Sequence, residues 1–206
     1  MEDVLEVYKQ PYDPLRPVVC IDETNRQLIG EVAQPIPMTP EHPHIYDYEY
    51  VRNGVVDIFM MFEPLAARRY TAVTNTRTKI DFAHCLQELS DKYYLHAETI
   101  VLVMDNLNTH NLASLYEAFA PEEARRLAER FEIHFTPKHG SWLNMAEIEI
   151  GVMSRQCLKH RIPTKDEMTY QVNAWTCSRN SANLSVDWRF TTEDARIKLK
   201  HLYPKI

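Results

Sequence analysis

"IVLVMDNLNTH", Ile100–His110, runs five apolar residues straight into an aspartate and a polar turn that contains no glycine. With Glu98 and Thr99 ahead of it, the apolar centre has polar residues at both ends. That is the pattern of a strand buried on both faces, and so of a parallel central strand. A carboxylate at the mouth of such a strand costs several kcal/mol unless it reaches solvent, caps a turn or meets a cation. Asp105 therefore needs an explanation.

Working outward, the chain alternates strand and helix signals. "RPVVCIDE", Arg16–Glu23, is a short apolar run that stops at Asp22, and "RQLIGEV", Arg26–Val32, reads as a separate strand. After a Pro-rich loop, aromatic and β-branched runs flank Asn53-Gly54, which predicts a two-residue hairpin, and Arg69–Thr74 supplies another strand. Phe59, Met60, Met61 and Phe62 read as core strand. Ile80, Ala83, Leu86, Leu89 and Tyr93 then recur at helical spacing, so Thr78–Tyr94 is an amphipathic helix. Helices are also expected over Ala120–Arg130, Leu143–Lys159 and two C-terminal segments, with a strand at Phe131–Pro137. The order predicts a mixed α/β sheet flanked by helices.

Composition narrows the function. The 206 residues suit one compact core, and only 4 glycines argue against a phosphate-cradling loop. The 4 cysteines form no C-x-x-C pair, and no segment is apolar enough to span a bilayer, so a reducing, cytoplasmic setting without a membrane partner is expected. A net charge of −6 excludes a nucleic-acid surface covering most of the molecule.

Two strand-end aspartates and one helical glutamate carry the chemistry. Asp22 and Asp105 sit where α/β sheets gather functional groups. In "HGSWLNMAEIEIG", Asn144 is a helix cap, Glu147 lies in the first turn, and Gly151 one turn on removes a side chain from the same face, leaving an opening. Turn-capping aspartates and a capping-box glutamate are the bland alternatives. Glu149 is about 200° around the helix from Glu147, so the two cannot share a site. Three hard oxygen ligands without His or Cys suit Mg²⁺ or Mn²⁺ and disfavour zinc. Two such ions would clamp the oxygens of an in-line phosphoryl transfer.

"VVCIDE", "VLVMDNLNTH" and "TPKHGSWLNMAEIEIGVMSRQCL" together resemble the catalytic core of the DDE transposases, in the bacterial insertion-sequence branch related to mariner elements. The resemblance covers about Arg16–Leu158, with 41 residues between the second and third acids. It implies a ribonuclease-H-like fold with a C-terminal helical extension: an irregular segment over 1–15, the core over 16–160 and packed helices over 161–206. It implies Asp22, Asp105 and Glu147 as catalytic acids and metal ligands for two Mg²⁺ or Mn²⁺ ions. The implied reaction is cleavage at element ends and joining of 3′-hydroxyls to target DNA. Implied partners are DNA and a second transposase chain, as a homodimer or mixed assembly, on the bacterial nucleoid. About 15 residues precede the first strand, so the helix-turn-helix region of full-length members is expected to be missing. A hydrolytic nuclease and a non-catalytic partner of a complete transposase are the alternatives.

Around the acids, Asn106 and Asn108 are candidates for orienting Asp105. His110, Lys138, His139 and Asn144 border the motifs and are candidates for supporting the acids or contacting DNA. The histidines would act through a phosphate contact or a proton transfer, with a surface or structural histidine as the alternative. Trp142 either stacks on a base or packs beneath its loop, packing being the simpler account. Arg68, Arg69, Arg155, Lys159 and Arg161 are candidates for the DNA backbone, with solvated surface charge as the alternative for each.

Overall fold

The computed structural model describes residues 1–45, 47–107, 111–138 and 140–203. Its strands are β1 (Val18–Glu31), β2 (Tyr50–Glu63), β3 (Arg68–Thr74), β4 (Ile100–Met104) and β5 (Phe131–Phe135). Its helices are α1 (Glu2–Tyr8), α2 (Lys79–Glu88), α3 (Ala113–Ala118), α4 (Pro121–Ala128), α5 (Met145–Gln156), α6 (Lys165–Ser181) and α7 (Thr192–Lys198). The sheet order is β3-β2-β1-β4-β5, with β1, β2 and β3 antiparallel and β4 and β5 parallel to β1. This is a ribonuclease-H-like mixed sheet flanked by helices.

All five residues of β4 are fully buried, as an apolar run between two parallel neighbours requires. Alternation along the strands separates two cores. Val18, Cys20, Val101 and Val103 face a layer that includes Ala146 and Met153 of α5 and Val172 of α6. Val19, Ile21, Leu102 and Met104 face Phe82 and Leu86 of α2, Leu115 of α3 and Leu127 of α4. Thr78 starts α2 through a reciprocal capping box with Asp81, which ends the preceding loop sharply. No helix among the described residues is long and apolar enough to cross a membrane.

Three expectations need correction, and one short helix is additional. The segment expected to be irregular carries α1, because Val4, Leu5 and Val7 reach the core before the first proline at Pro11. The two apolar runs around Asp22 are one 14-residue strand: β2 pairs along it from Cys20 to Glu31 and carries the polar residues between them as ladder. Asn53-Gly54 is a bulge, not a hairpin turn. The β1–β2 register shifts there, Gly54 supplies the left-handed φ of 111°, and the real connection is the Pro-rich loop after Glu31. Asn-Gly announces positive φ, and a bulge uses that as readily as a turn. The segment between β4 and α4 also holds the short α3, which its weak periodicity did not announce.

Candidate active site

The sheet register places the two aspartates. Val18, Val19 and Cys20 pair in parallel with Val101, Leu102 and Val103. Continuing that offset two residues sets Asp22 beside Asp105. Both share the parity of Cys20 and Val103, whose side chains face α5, so the alternation directs both carboxylates to the α5 face. Asp22 is thus not at a strand end. It lies where β4 stops while β1 continues against β2, which opens one flank of β1.

α5 is seated on this spot by Asn144. The Asn144 amide oxygen accepts the Ala146 N–H at 3.1 Å, capping the helix, while its Nδ2 donates to the Ile21 carbonyl at 2.8 Å and lies 3.4 Å from Asp22 Oδ2. One buried side chain therefore joins the start of α5 to β1 at the first aspartate. The Glu23 N–H holds Asp22 Oδ1 at 2.8 Å, and the Leu107 N–H holds Asp105 Oδ1 at 3.2 Å. The turn-capping bond expected of a strand-end aspartate is therefore present, and it coexists with the site geometry.

Electrostatics tie the three acids together. Burial pushes the Asp22 carboxyl up to about 7, and the charges of Glu23, Asp105 and Glu147 push the same way. Among the described residues, no three His, Cys, Asp or Glu side chains stand close enough to hold one ion together. The three acids are nonetheless near enough for the charges of Asp105 and Glu147 to act on Asp22. An oxygen-only set with one member held near neutrality by burial and repulsion fits a hard divalent ion, which would relieve that repulsion.

A cleft of about 640 Å³ opens beside Asp105 and is lined by Asn106, Thr136, Pro137, Lys138 and Ser141. Trp142 is 42% exposed and meets the Phe190 ring edge-on at 5.3 Å, which supports packing. The opening expected at Gly151 is partly covered, because a Cβ there would lie 3.5 Å from the Arg155 guanidinium. Asn108, His110 and His139 lie outside the described residues. Arg68, Arg155 and Lys159 are exposed, while Arg161 is engaged by Glu31 and by the Asp47 and Glu49 carbonyls. Arg69 is a correction: it is fully buried and unavailable to DNA.

The partner of Arg69 is a group whose role the sequence reading missed. Glu149, also fully buried, accepts Arg69 Nε at 2.8 Å and takes Arg179 in a two-pronged bond, Nη2 at 2.9 Å and Nε at 3.1 Å. A usable signal existed. Met145, Ala146, Glu149 and Met153 form the buried stripe of α5, and a carboxylate in such a stripe requires cations from elsewhere in the chain.

Likeness to known proteins bears on the family and the fold. The family model of the DDE superfamily endonuclease matches residues 17–169. No curated protein matches the chain by sequence. Among solved structures, the Mos1 mariner paired end complex with Mn is similar at TM-score 0.54 and 13% identity, over 87% of this chain and 54% of that one. The Mos1 strand transfer complex is similar at TM-score 0.58 and 12% identity (85% and 51% covered). The Mos1 transposase paired-end complex with left transposon end gives 0.58 and 12% (88% and 56%). The chain thus spans about half the length of these relatives. At such identity the likeness establishes the ribonuclease-H-like fold. The family match, covering most of the chain and all three acids, places this protein among the DDE superfamily endonucleases.

Proposed function

We propose that this chain is the catalytic domain of a metal-dependent DNA transposase, with Asp22, Asp105 and Glu147 as its metal ligands. The observation that carries the reading is the parallel register that sets Asp22 beside Asp105 on the face where α5 begins. Divalent ions held there, Mg²⁺ or Mn²⁺ and two in number, would activate the attacking oxygen and neutralise charge on the phosphate. The chain's own residues do the rest. Asn144 and the Glu23 N–H fix the Asp22 carboxylate, the Leu107 N–H fixes Asp105, and Lys138, Asn106 and Ser141 line the cleft as donors for phosphate oxygens.

The substrate is duplex DNA, cut at an element end and joined through its 3′-hydroxyl to a target. Two chains acting on paired ends is the assembly that the likeness to the Mos1 paired-end complexes suggests. The test uses a pre-cleaved duplex with a free 3′-hydroxyl and a supercoiled target plasmid, with Mn²⁺ or Mg²⁺. Joined product that disappears in Asp105→Asn supports the proposal. Nicking without joining would reduce the protein to a hydrolytic nuclease, and neither product from the intact chain would remove the catalytic reading.

A further inference from the structure

We infer that the buried cluster Glu149–Arg69–Arg179 is a positioning device that sets the rotation of α5 about its axis, and through it the direction of Glu147. This rests on Glu147 being a ligand of the catalytic centre, as proposed above.

The cluster ties β3, α6 and the turn after α6 to the first half of α5, whereas the other side-chain bond from α6, Trp175 Nε1 to Gln156 Oε1 at 3.0 Å, reaches only the last residue of the helix. Besides Glu149, Arg69 donates to the Ala67 carbonyl at 2.9 Å and to the Leu184 carbonyl, and it stacks over the Phe62 ring at 4.6 Å. Asn180 exchanges two bonds with the Arg69 backbone, accepting its N–H at 2.9 Å and donating to its carbonyl at 2.8 Å. β3, α6 and the turn after α6 therefore converge on one carboxylate of α5. Stability is a poor reason for this arrangement. Burying Arg69 and Glu149 as ions, with Arg179 half-buried beside them, carries a large desolvation cost, and well-packed apolar side chains at such sites are often as stable or more so.

Direction is the better reason. The neighbours of Glu149 in the buried stripe are Met145 and Met153, flexible side chains that fill space without specifying an angle. A carboxylate gripped by two guanidiniums, one of them two-pronged, admits a narrow range of orientations. Glu147 lies about 200° around the helix, so seating Glu149 inward turns Glu147 outward. A rotation of about 20° would swing a side-chain tip 5–6 Å from the axis by roughly 2 Å. Metal–oxygen bonds tolerate about 0.2 Å. Loosening the grip would widen the range of directions from which Glu147 approaches the site, leaving α5 held by the Asn144 cap and by the bonds of Ser154 to Arg26 and Gln156 to Trp175.

The test replaces the whole cluster, because removing one partner strands a buried charge. The triple variant Arg69→Met/Glu149→Leu/Arg179→Met should melt cooperatively at or above the wild-type temperature. It should bind Mn²⁺, followed by electron paramagnetic resonance without DNA, at least tenfold more weakly. Amide exchange at 145–150 should quicken. If the triple variant does not fold, Arg179→Lys carries the test. That change keeps the charge and loses the fork, and well below its melting temperature it should raise the Mn²⁺ half-saturation severalfold. Wild-type Mn²⁺ affinity in a folded variant would overturn the inference. Failure of the wild-type chain to bind Mn²⁺ at all would instead count against Glu147 as a metal ligand, so the two failures are distinguishable.

Discussion

Two glutamates on α5, Glu147 and Glu149, are separated by one residue and meet opposite surroundings. Glu149 points into the protein and is neutralised by two arginines at hydrogen-bond distance. Glu147 is half-buried, and its charge adds to those of Glu23 and Asp105 in raising Asp22. The interior resolves the Glu149 charge with the chain's own cations, whereas the charges that act on Asp22 are those of three other carboxylates, Glu23, Asp105 and Glu147. A carboxylate is thus identified as structural or functional by what faces it, and residue type or helix position alone does not decide.

The largest expected contrast is kinetic. Glu147→Gln and Asp105→Asn should each lower DNA cleavage by at least about a thousandfold, ~4 kcal/mol of transition-state stabilisation, with melting temperatures near wild type. Glu149→Ala should behave differently, losing about 3–5 kcal/mol of folding stability because Arg69 would remain fully buried and uncompensated. Denaturant titration and single-turnover cleavage on the same preparations check both. A stable, cleavage-dead Glu149 variant beside an active Glu147 variant would reverse the assignments.

Next in size is the response to acid, which has opposite signs at the two ends of the comparison. The Asp22 carboxyl is raised to about 7, so its contribution to stability is present below the ordinary aspartate range and is lost as pH rises through about 7. Burial works to raise the Glu149 carboxyl, but Arg69 and Arg179 outweigh it and lower it overall. Its contribution is present above the ordinary glutamate value of 4.5 and is lost as pH falls through the lowered one. Asp57 and Glu63 are raised as well, so the difference between wild type and variant is the useful quantity. Asp22→Asn should raise the metal-free melting temperature at pH 8 by roughly 2–4 °C, about 1 kcal/mol, and flatten the alkaline side of the profile. Mn²⁺ should stabilise wild type and leave this variant nearly unchanged.

The smallest effect concerns DNA affinity. Arg155 and Lys159 are exposed at the end of α5, beyond Glu147 and Gly151. Replacing both with alanine should flatten the dependence of log K on log salt by about 1–2, the share of two phosphate contacts. Fluorescence anisotropy of a labelled duplex measures it, and an unchanged slope would leave these residues as solvated surface charge.

Much of this was legible in the sequence, for identifiable reasons. β4 announces itself because burial on both faces leaves an unbroken apolar run, and Asp105 stands out because it ends that run. The capping role of Asn144 follows from residue type and place, whereas its second task, reaching Ile21 and Asp22 across the fold, is tertiary and leaves no local trace. The unbroken β1 was hidden because Glu23, Thr24 and Asn25 look like a turn until a 14-residue partner strand pairs with them. Arg69 beside Arg68 looked like surface charge for the same reason: the glutamate that draws it inward lies 80 residues away.

The central claim is that Asp22, Asp105 and Glu147 close on a divalent ion. Crystals of the chain with duplex DNA and Mn²⁺, measured at the manganese absorption edge, test it most directly. The account predicts anomalous density with oxygens of Asp22 and Asp105 about 2.1 Å away and Glu147 turned in as the third ligand. Manganese bound elsewhere, or a site completed without Glu147, would contradict it.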